Sequence, residues 1–233
     1  MIMIPDDERW DDYHKKTHNP EEPHSLYAEE KEKLFPRGCL VVELGGGTGS
    51  DSLYFLKQGH SVVILDISDF ALKTATERAA KENLGQRLAT RQVDFGLHQI
   101  PIKESSVEIV YSRISLHYFG SKHTTKLFSE IYKMLKPGGT AYLTFKSPED
   151  VEEMDYLRNV GVEYEENVFI ENGQLRSRFS INQLTNMLTN ARIPSFEVKP
   201  QKETLRDYTG YESTLLVNEV IINKSPVVGV QTS

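Results

Sequence analysis

The chain has 233 residues, with 27 Lys and Arg against 34 Asp and Glu, which gives a net charge of -7. This length suits one α/β domain with a sizeable core, and the acidic balance argues against a broad nucleic-acid surface. The single cysteine, Cys39, excludes a disulfide framework and a cysteine metal cluster. No apolar run approaches the roughly 18 residues of a membrane span, and the first residues do not resemble a signal peptide. We therefore expect a soluble protein in a reducing, cytoplasmic setting, with no metal and no membrane partner.

The first 36 residues are predicted to form an arm and a helix in front of the main domain. The arm is polar and acidic but carries two large aromatic residues, Trp10 and Tyr13, which either pack on the domain or fold over its ligand as a lid. His14 and His18 are spaced i, i+4. Because no third ligand has useful spacing, we expect these histidines on the solvated surface rather than in a zinc site.

The strongest local pattern is an apolar run from Leu40 that leads into Gly45–Gly49, a segment with four glycines. A helix-like segment follows, and a second apolar run then closes on Asp66. Glycine allows positive φ and lets a ligand approach the backbone closely. An acid at the tip of the second strand can accept hydrogen bonds from ribose hydroxyls. This stretch predicts the site of a nucleoside-containing cofactor.

Strand and helix patterns alternate along the rest of the chain. Apolar periodicity predicts helix 69–83, strand 88–93, strand 107–111, helix 122–135 and strand 140–145. Such alternation is typical of a parallel sheet with helices on both faces. The last two predicted strands, 196–205 and 214–223, should be antiparallel because their connection is too short for a helical crossover. The predicted fold is therefore α/β, with a seven-stranded, mostly parallel sheet and an antiparallel seventh strand.

The main domain is predicted over 37–223, between the 1–36 arm and a loose tail over 224–233. The sequence pattern is poorest over 147–178, where acidic residues and scattered aromatics give no clear period. Acceptor selectivity is expected to lie in this segment and in the arm.

Several polar features follow the carboxyl ends of predicted strands. These are the glycine turn, Asp66, Asp94 with Phe95, and the segment 112–117. In open α/β sheets, ligands bind outside the carboxyl ends of the strands. The four features should therefore meet at one edge of the sheet.

Two details favour a nucleoside without a pyrophosphate over a dinucleotide. The dinucleotide fingerprint needs glycine or alanine where this chain has Ser50. Glu43 lies two residues before Gly45, where it could receive an ammonium group but would repel a pyrophosphate. S-adenosylmethionine, with its adenosine, sulfonium and amino-acid end, suits the turn. A nicotinamide-dependent oxidoreductase is the weaker alternative.

Four motifs together resemble those of class I S-adenosylmethionine-dependent methyltransferases. They are the string VELGGGTGS, Asp66, the pair Asp94-Phe95, and LKPGG before the fifth strand. The resemblance covers about residues 39–222. It implies a doubly wound, Rossmann-like fold in which the seventh strand lies between the fifth and the sixth.

The same resemblance implies a set of cofactor contacts. Glu43 would hold the amino-acid end, Asp66 the ribose hydroxyls, and Asp94 the adenine amino group. The other implied contacts shape the turn, enclose the adenine or pass the methionine portion, and they are Gly45, Gly46, Gly47, Gly49, Ile67, Phe95, Ser112 and Arg113. After methyl transfer the product would be S-adenosylhomocysteine.

The acceptor side is predicted from the segment after the fourth strand. His117 and Tyr118 should face the acceptor, with His117 either a general base or a helix-start residue bonded to backbone. The sequence SRIS stands where amino-base methylases carry Asn/Asp-Pro-Pro-Tyr/Phe, so a nucleic-acid acceptor is disfavoured. SRISLHYF and the aromatic arm are similar to tellurite-resistance and thiopurine methyltransferases, which implies in-line transfer to a small molecule. A non-catalytic S-adenosylmethionine-binding module or partner subunit is the alternative.

Overall fold

The computed structural model describes residues 6–206 and 212–226. The first five residues of the arm, the connection 207–211 in the last hairpin, and the tail beyond 226 lie outside the described residues. Within the described ranges, no helix is both long and apolar enough to cross a membrane.

The described chain alternates helices and strands. In chain order these are α1 (Asp6–Thr17), α2 (Leu26–Glu32), β1 (Leu40–Leu44), α3 (Ser50–Lys57), β2 (Ser61–Asp66), α4 (Asp69–Lys81), a 3₁₀ turn (Gly85–Arg87), β3 (Leu88–Gln92), β4 (Val107–Arg113), α5 (Ser121–Met134), β5 (Leu135–Lys146), α6 (Val151–Val160), β6 (Val162–Glu165), β7 (Val168–Glu171), β8 (Gln174–Ser177), α7 (Ile181–Asn190), β9 (Phe196–Arg206) and β10 (Glu212–Asn223).

Seven of these strands form one sheet in the order β3-β2-β1-β4-β5-β10-β9. The pairs among β1 to β5 are parallel, whereas β10 runs antiparallel to both β5 and β9. The predicted seven-stranded fold, including a last strand inserted between the fifth and sixth, is confirmed. The strand order reverses between β1 and β4, which is where an open α/β sheet forms its binding crevice.

Apolar side chains of the strands alternate between two cores, one on each face of the sheet. On β1, Val42 and Leu44 face the core covered by α5 and α7, and Val41 faces the core covered by α2, α3 and α4. Helices therefore cover both faces, and the strand ends remain at the edge where the polar motifs lie.

Helix α2 is fixed to the sheet by a buried ion pair. Lys31 Nζ lies 2.6 Å from a carboxylate oxygen of Glu219 on β10, and the Tyr27 hydroxyl donates to the same oxygen at 2.8 Å. Glu219 has no exposed surface. The N-cap of α2, Ser25, in turn donates to Asp51 at the start of α3, so this anchor reaches the edge of the binding crevice.

The segment 147–178, where the sequence pattern was poorest, forms α6 and a small antiparallel sheet in the order β6-β7-β8. Its strands are only four residues long and mix polar with apolar side chains. The Asn172–Gly173 pair connects β7 and β8, and both residues have positive φ. Asn-Gly is a strong hairpin signal, so it could have predicted this turn.

Two predicted boundaries are corrected at the fifth strand and the tail. β5 begins at Leu135, directly after α5, and 136–139 loop out of register, since Leu135 pairs with Val107 and Thr140 with Ile109. Lys224, placed by the sequence in a loose tail, donates from Nζ to the carbonyls of Tyr132 and Lys133, both at 3.2 Å. These contacts tie the end of β10 to the end of α5.

Replacing Lys31 by Met should lower the free energy of unfolding by about 3 kcal/mol, because the buried Glu219 carboxylate loses its closest cation. Urea denaturation measures the change. Lys33→Met, on the exposed end of the same helix, is the matched control and should have little effect. The double variant Lys31→Met/Glu219→Gln should recover part of the loss. A loss below 1 kcal/mol in the single variant would contradict the anchoring role.

Candidate active site

A cavity of about 1540 Å³ lies at the carboxyl ends of the central strands. The glycine turn, the ends of β2 to β5, helix α1 and the β7–β8 hairpin all contribute to its wall. The predicted site residues that line it are Trp10, Tyr13, Glu43, Gly45, Gly46, Gly47, Asp66, Ile67, Asp94, Phe95, Arg113, His117 and Tyr118. Side chains separated by more than a hundred residues in sequence thus share one cavity.

The turn after β1 depends on left-handed backbone conformations. Gly45 and Gly47 have φ of +69° and +52°, values that side-chain-bearing residues rarely adopt. A Cβ on Gly47 would lie 3.0 Å from Cε1 of His14, so glycine at this position allows the close approach of α1 to the turn. Gly45, Gly46 and Gly47 all line the cavity, so the turn presents its backbone there.

Asp66, at the tip of β2, is a buried carboxylate with spare acceptor capacity. It accepts hydrogen bonds from the backbone N–H groups of Gly47 at 2.8 Å and Ser68 at 2.9 Å. Burial raises its pKa although these two bonds act in the opposite direction. A carboxylate offers about four lone-pair positions, so Asp66 can accept further donors from a ligand.

Glu43 and Asp51 form a second acidic group at the start of the turn. Glu43 is buried and accepts a hydrogen bond from the Ser52 hydroxyl. Burial, and then the nearby Asp51 carboxylate, raise the pKa of Glu43 well above its usual range. Asp51 accepts from the backbone N–H of Ser25 and from the Tyr111 hydroxyl, both at 2.7 Å. Both acids line the cavity, where a ligand cation would offset their burial.

Asp94 and Phe95 follow β3 as predicted. Asp94 Oδ1 accepts from the Gly96 backbone N–H at 2.7 Å, which shapes the turn and leaves the side chain beside the cavity. The Phe95 ring is buried, and its carbonyl lies 2.7 Å from His123 Nε2. Together with Ile67, these residues give this end of the cavity an apolar wall with one carboxylate.

Three predicted cofactor contacts differ in their placement. Gly49 shapes the turn, with φ of +80° and its N–H donating to the Gly46 carbonyl at 2.9 Å, but it does not line the cavity. A Cβ there would lie 2.9 Å from that of Ala75, so this glycine also allows close packing of α4. Ser112 is fully buried and donates to the Leu44 carbonyl at 2.9 Å. Like Gly49, Ser112 does not line the cavity. Arg113 does line it, with its Nε held by Glu203 at 2.7 Å.

Helix α1 forms one wall of the cavity. Ser68 Oγ and the Phe70 backbone N–H donate to Asp11 at 2.6 and 3.1 Å, and Arg9 Nη1 donates to the Asn172 carbonyl at 2.9 Å. The helix thus bridges the start of α4 and the β7–β8 hairpin. The predicted lid role of its aromatic residues stays a prediction, and this bridging is the geometry that such a role requires.

The expectation that His14 is a solvated surface residue is wrong. His14 lines the cavity beside the glycine turn and interacts with the Asp66 carboxylate. Burial lowers its pKa, while Asp66 acts in the opposite direction. His14 follows Trp10 by four residues, so the two side chains share one face of α1, and both line the cavity. This spacing was the sequence signal that could have placed His14 in the site.

His117 and Tyr118 lie in a turn after β4, not at a helix start. Their rings are 4.3 Å apart, and Trp10 meets Tyr118 edge-on at 5.0 Å. His117 is 2% exposed and its carbonyl accepts from the Ser177 N–H at 2.9 Å, which joins this turn to β8.

Lys146 at the end of β5 also lines the cavity and was not predicted from the sequence. Its position at a strand end, like that of Asp66, was the signal that could have identified it.

Residues 41–139 match the family of methyltransferase domains. Among curated proteins, malonyl-[acyl-carrier protein] O-methyltransferase of Pectobacterium atrosepticum is 30% identical over 44% of this chain and 36% of its own length. Phosphoethanolamine N-methyltransferase 1 of Triticum aestivum is 30% identical over 46% of this chain. The match spans only 21% of the wheat protein, so the similarity to both relatives is confined to part of their length.

Solved structures show the same fold over most of the chain. A S-adenosylmethionine-dependent methyltransferase from Methanosarcina mazei has a TM-score of 0.66 at 21% identity and covers 83% of this chain and 96% of its own. A protein of echinomycin biosynthesis has a TM-score of 0.69 at 18% identity, over 94% of this chain and 92% of its own. Residues 41–139 are thus a methyltransferase domain, and the fold is shared with a solved S-adenosylmethionine-dependent methyltransferase, which confirms the predicted class and cofactor.

Asp66→Asn should weaken binding of S-adenosylhomocysteine by about 1–3 kcal/mol, because an amide replaces a charged acceptor of ligand hydroxyls. Calorimetric titration measures the affinity. Asp69→Asn, on the exposed start of α4, is the matched control and should bind normally. Unchanged affinity in the Asp66 variant would remove that residue from the proposed ribose contact.

Proposed function

We propose that this chain transfers a methyl group from S-adenosylmethionine to a small-molecule acceptor. The observation that carries the proposal is one continuous cavity, with acidic groups at the glycine turn and an aromatic wall beyond them. Its volume, about 1540 Å³, exceeds the roughly 300–1,000 Å³ of an ordinary ligand pocket. A cavity of this size has room for a cofactor and an acceptor together.

The residues at the turn fit the proposed cofactor. Glu43 and Asp51 would receive the ammonium group of the amino-acid end, and Asp66 would accept the ribose hydroxyls. Asp94 would accept the adenine amino group between the apolar walls of Ile67 and Phe95. The bound cofactor supplies an electrophilic methyl group on its sulfonium. The chain's contribution is alignment of the two reactants, which can supply roughly 7–11 kcal/mol.

Several observations support a small acceptor. Curated relatives include a sarcosine/dimethylglycine N-methyltransferase from Aphanothece halophytica and a sterol 24-C-methyltransferase from Saccharomyces cerevisiae. Trp10 and Tyr13 of α1 line the cavity, and Trp10 meets Tyr118 edge-on, so an aromatic wall is available to a compact acceptor. The acidic net charge of -7 also disfavours a nucleic-acid partner.

The two alternatives predict different binding behaviour. A nicotinamide cofactor would bring a pyrophosphate toward Glu43 and Asp51, which repel it. A non-catalytic module would bind S-adenosylhomocysteine but transfer no methyl group. The acids at the turn therefore favour S-adenosylmethionine over a nicotinamide cofactor, whether or not the chain is catalytic.

Calorimetry with S-adenosylhomocysteine and with NAD tests the cofactor, and incubation with labelled S-adenosylmethionine and a panel of small amines, thiols, phenols and carbon acids tests transfer. We expect binding of S-adenosylhomocysteine, no binding of NAD, and label in one class of acceptor. Tight NAD binding without S-adenosylhomocysteine binding would overturn the proposal. Cofactor binding with no transfer across the panel would favour the non-catalytic module.

The proposed role of Glu43 predicts a pH dependence of cofactor affinity. Because its pKa is raised, part of the Glu43 population is protonated in the free protein and must lose a proton to pair with an ammonium group. Affinity for S-adenosylhomocysteine should therefore rise with pH through the Glu43 pKa. Asp66, whose pKa is also raised, contributes in the same direction.

Glu43→Gln should reduce this slope and weaken binding by about 1–3 kcal/mol at pH 8. The ligand-free variant should be at least as stable as the natural protein at that pH, because it buries an amide in place of a carboxylate. Glu108→Gln, on β4 away from the cavity, is the control for the slope. If the pH slope of S-adenosylhomocysteine affinity is unchanged in Glu43→Gln, Glu43 does not bind the ammonium group of the amino-acid end.

A further inference from the structure

A group of cations surrounds His117 on the acceptor side of the cavity. Arg176 and Arg178 belong to β8 and Lys146 to β5, and after burial these three charges are what lower the pKa of the imidazole well below its usual range. At neutral pH His117 is therefore uncharged. It can form a hydrogen bond, but a proton gained from an acceptor would stand beside three positive charges.

The carboxylates in this region do not balance the cations. Arg178 Nη2 donates to Glu153 Oε1 at 2.7 Å, and Lys146 Nζ pairs with that same oxygen. Arg176 has its own partner, with its Nε 2.9 Å from Glu171 Oε2. Two carboxylates thus face three cations, which leaves one positive charge without a counterpart in this cluster.

The same cluster holds buried polar atoms with unused hydrogen-bonding capacity. In the described part of the chain, His117 Nδ1, Arg178 Nε, Ser177 Oγ and Glu153 Oε2 are buried and have no partner. Unpaired buried polar groups are costly, so such a group beside a cavity points to a ligand that completes it. His117 and Lys146 are the two members of the cluster that line the cavity.

We propose that the acceptor carries a carboxylate that binds between Lys146 and His117, and that His117 donates a hydrogen bond to it instead of serving as a general base. The one positive charge that the carboxylates of the cluster leave uncompensated matches the single negative charge of an acceptor carboxylate. The aromatic rings of Trp10 and Tyr118 on the adjoining wall suit an apolar body attached to that carboxylate. This inference rests on the proposed function and adds the chemical class of the acceptor.

Binding of a matched pair of probes tests the charge preference directly. The pair is 3-phenylpropionate and 3-phenylpropionamide, which share an apolar body and differ in charge. Trp10, the only tryptophan, lies in the cavity wall, so its fluorescence reports binding, and calorimetry gives the affinity. With S-adenosylhomocysteine saturating, we expect the carboxylate to bind roughly tenfold tighter or more. Equal affinities, or no binding of the carboxylate, would overturn the proposal.

Variants locate the preference within the cluster. Lys146→Met should abolish it, while Lys126→Met, an exposed lysine of α5, should leave it intact. His117→Leu should weaken carboxylate binding, and His117→Gln, which keeps an N–H donor, should restore most of it. A preference that survives Lys146→Met would overturn the assignment.

The pH dependence separates a neutral His117 from a titrating base. The pKa values of His117, Glu153 and Glu171 are lowered and the Tyr118 pKa is raised, so carboxylate affinity should be flat from about pH 6 to 8.5. A midpoint in that range that disappears in His117→Gln would overturn the neutral role. Titration with S-adenosylhomocysteine alone tests the cofactor half of the proposed function separately. If that ligand does not bind, the same pair of probes titrated without it still measures the carboxylate preference.

Discussion

The site depends on carboxylates that the sheet buries at the ends of its parallel strands. Glu43 and Asp66 are held in low-dielectric surroundings, and burial raises the pKa of both. Such burial costs free energy unless donors or a cation complete the environment. Backbone N–H groups complete only part of it, because the glycine turn directs Gly47 toward Asp66 and leaves the remaining lone pairs to the cavity. The fold therefore retains a cost that a cofactor with hydroxyl and ammonium groups would remove.

Elements outside the sheet keep these acids in position. Asp51 is fixed by Ser25 at the start of α2, and α2 is fixed in turn by the buried pair of Lys31 with Glu219. Helix α1 is tied to the start of α4 through Asp11. The N-terminal region thus contributes to the cavity at two points, although it precedes the residues that match the methyltransferase family.

The sequence predicted what depends on short-range pattern. The glycine turn, the acids that close β2 and β3, and the final antiparallel strands could be read because each lies within one strand–turn unit. Gly49 shows the limit of that method, since it belongs to the turn as its neighbours in sequence suggest, but it packs against Ala75 of α4 and does not line the cavity. His14 was misjudged for the same reason, because only the packing of α1 brings it beside Asp66. Apolar periodicity also failed to predict the elements of 147–178, because strands of four residues are too short to show a period.

The acceptor side is harder to predict because its charges come from separate elements. Lys146 closes β5, Arg176 and Arg178 lie on β8, and Glu153 lies on α6, so no single stretch of sequence displays the net positive charge. The proposed cofactor side is acidic and the proposed acceptor side is cationic, and these opposite surroundings would orient ligands of opposite charge along one cavity. An anionic acceptor would also be drawn toward a sulfonium in a medium where attraction is stronger than in water. Under that arrangement catalysis would depend on alignment and charge complementarity, and His117 would act as a neutral hydrogen-bond donor, not as a base.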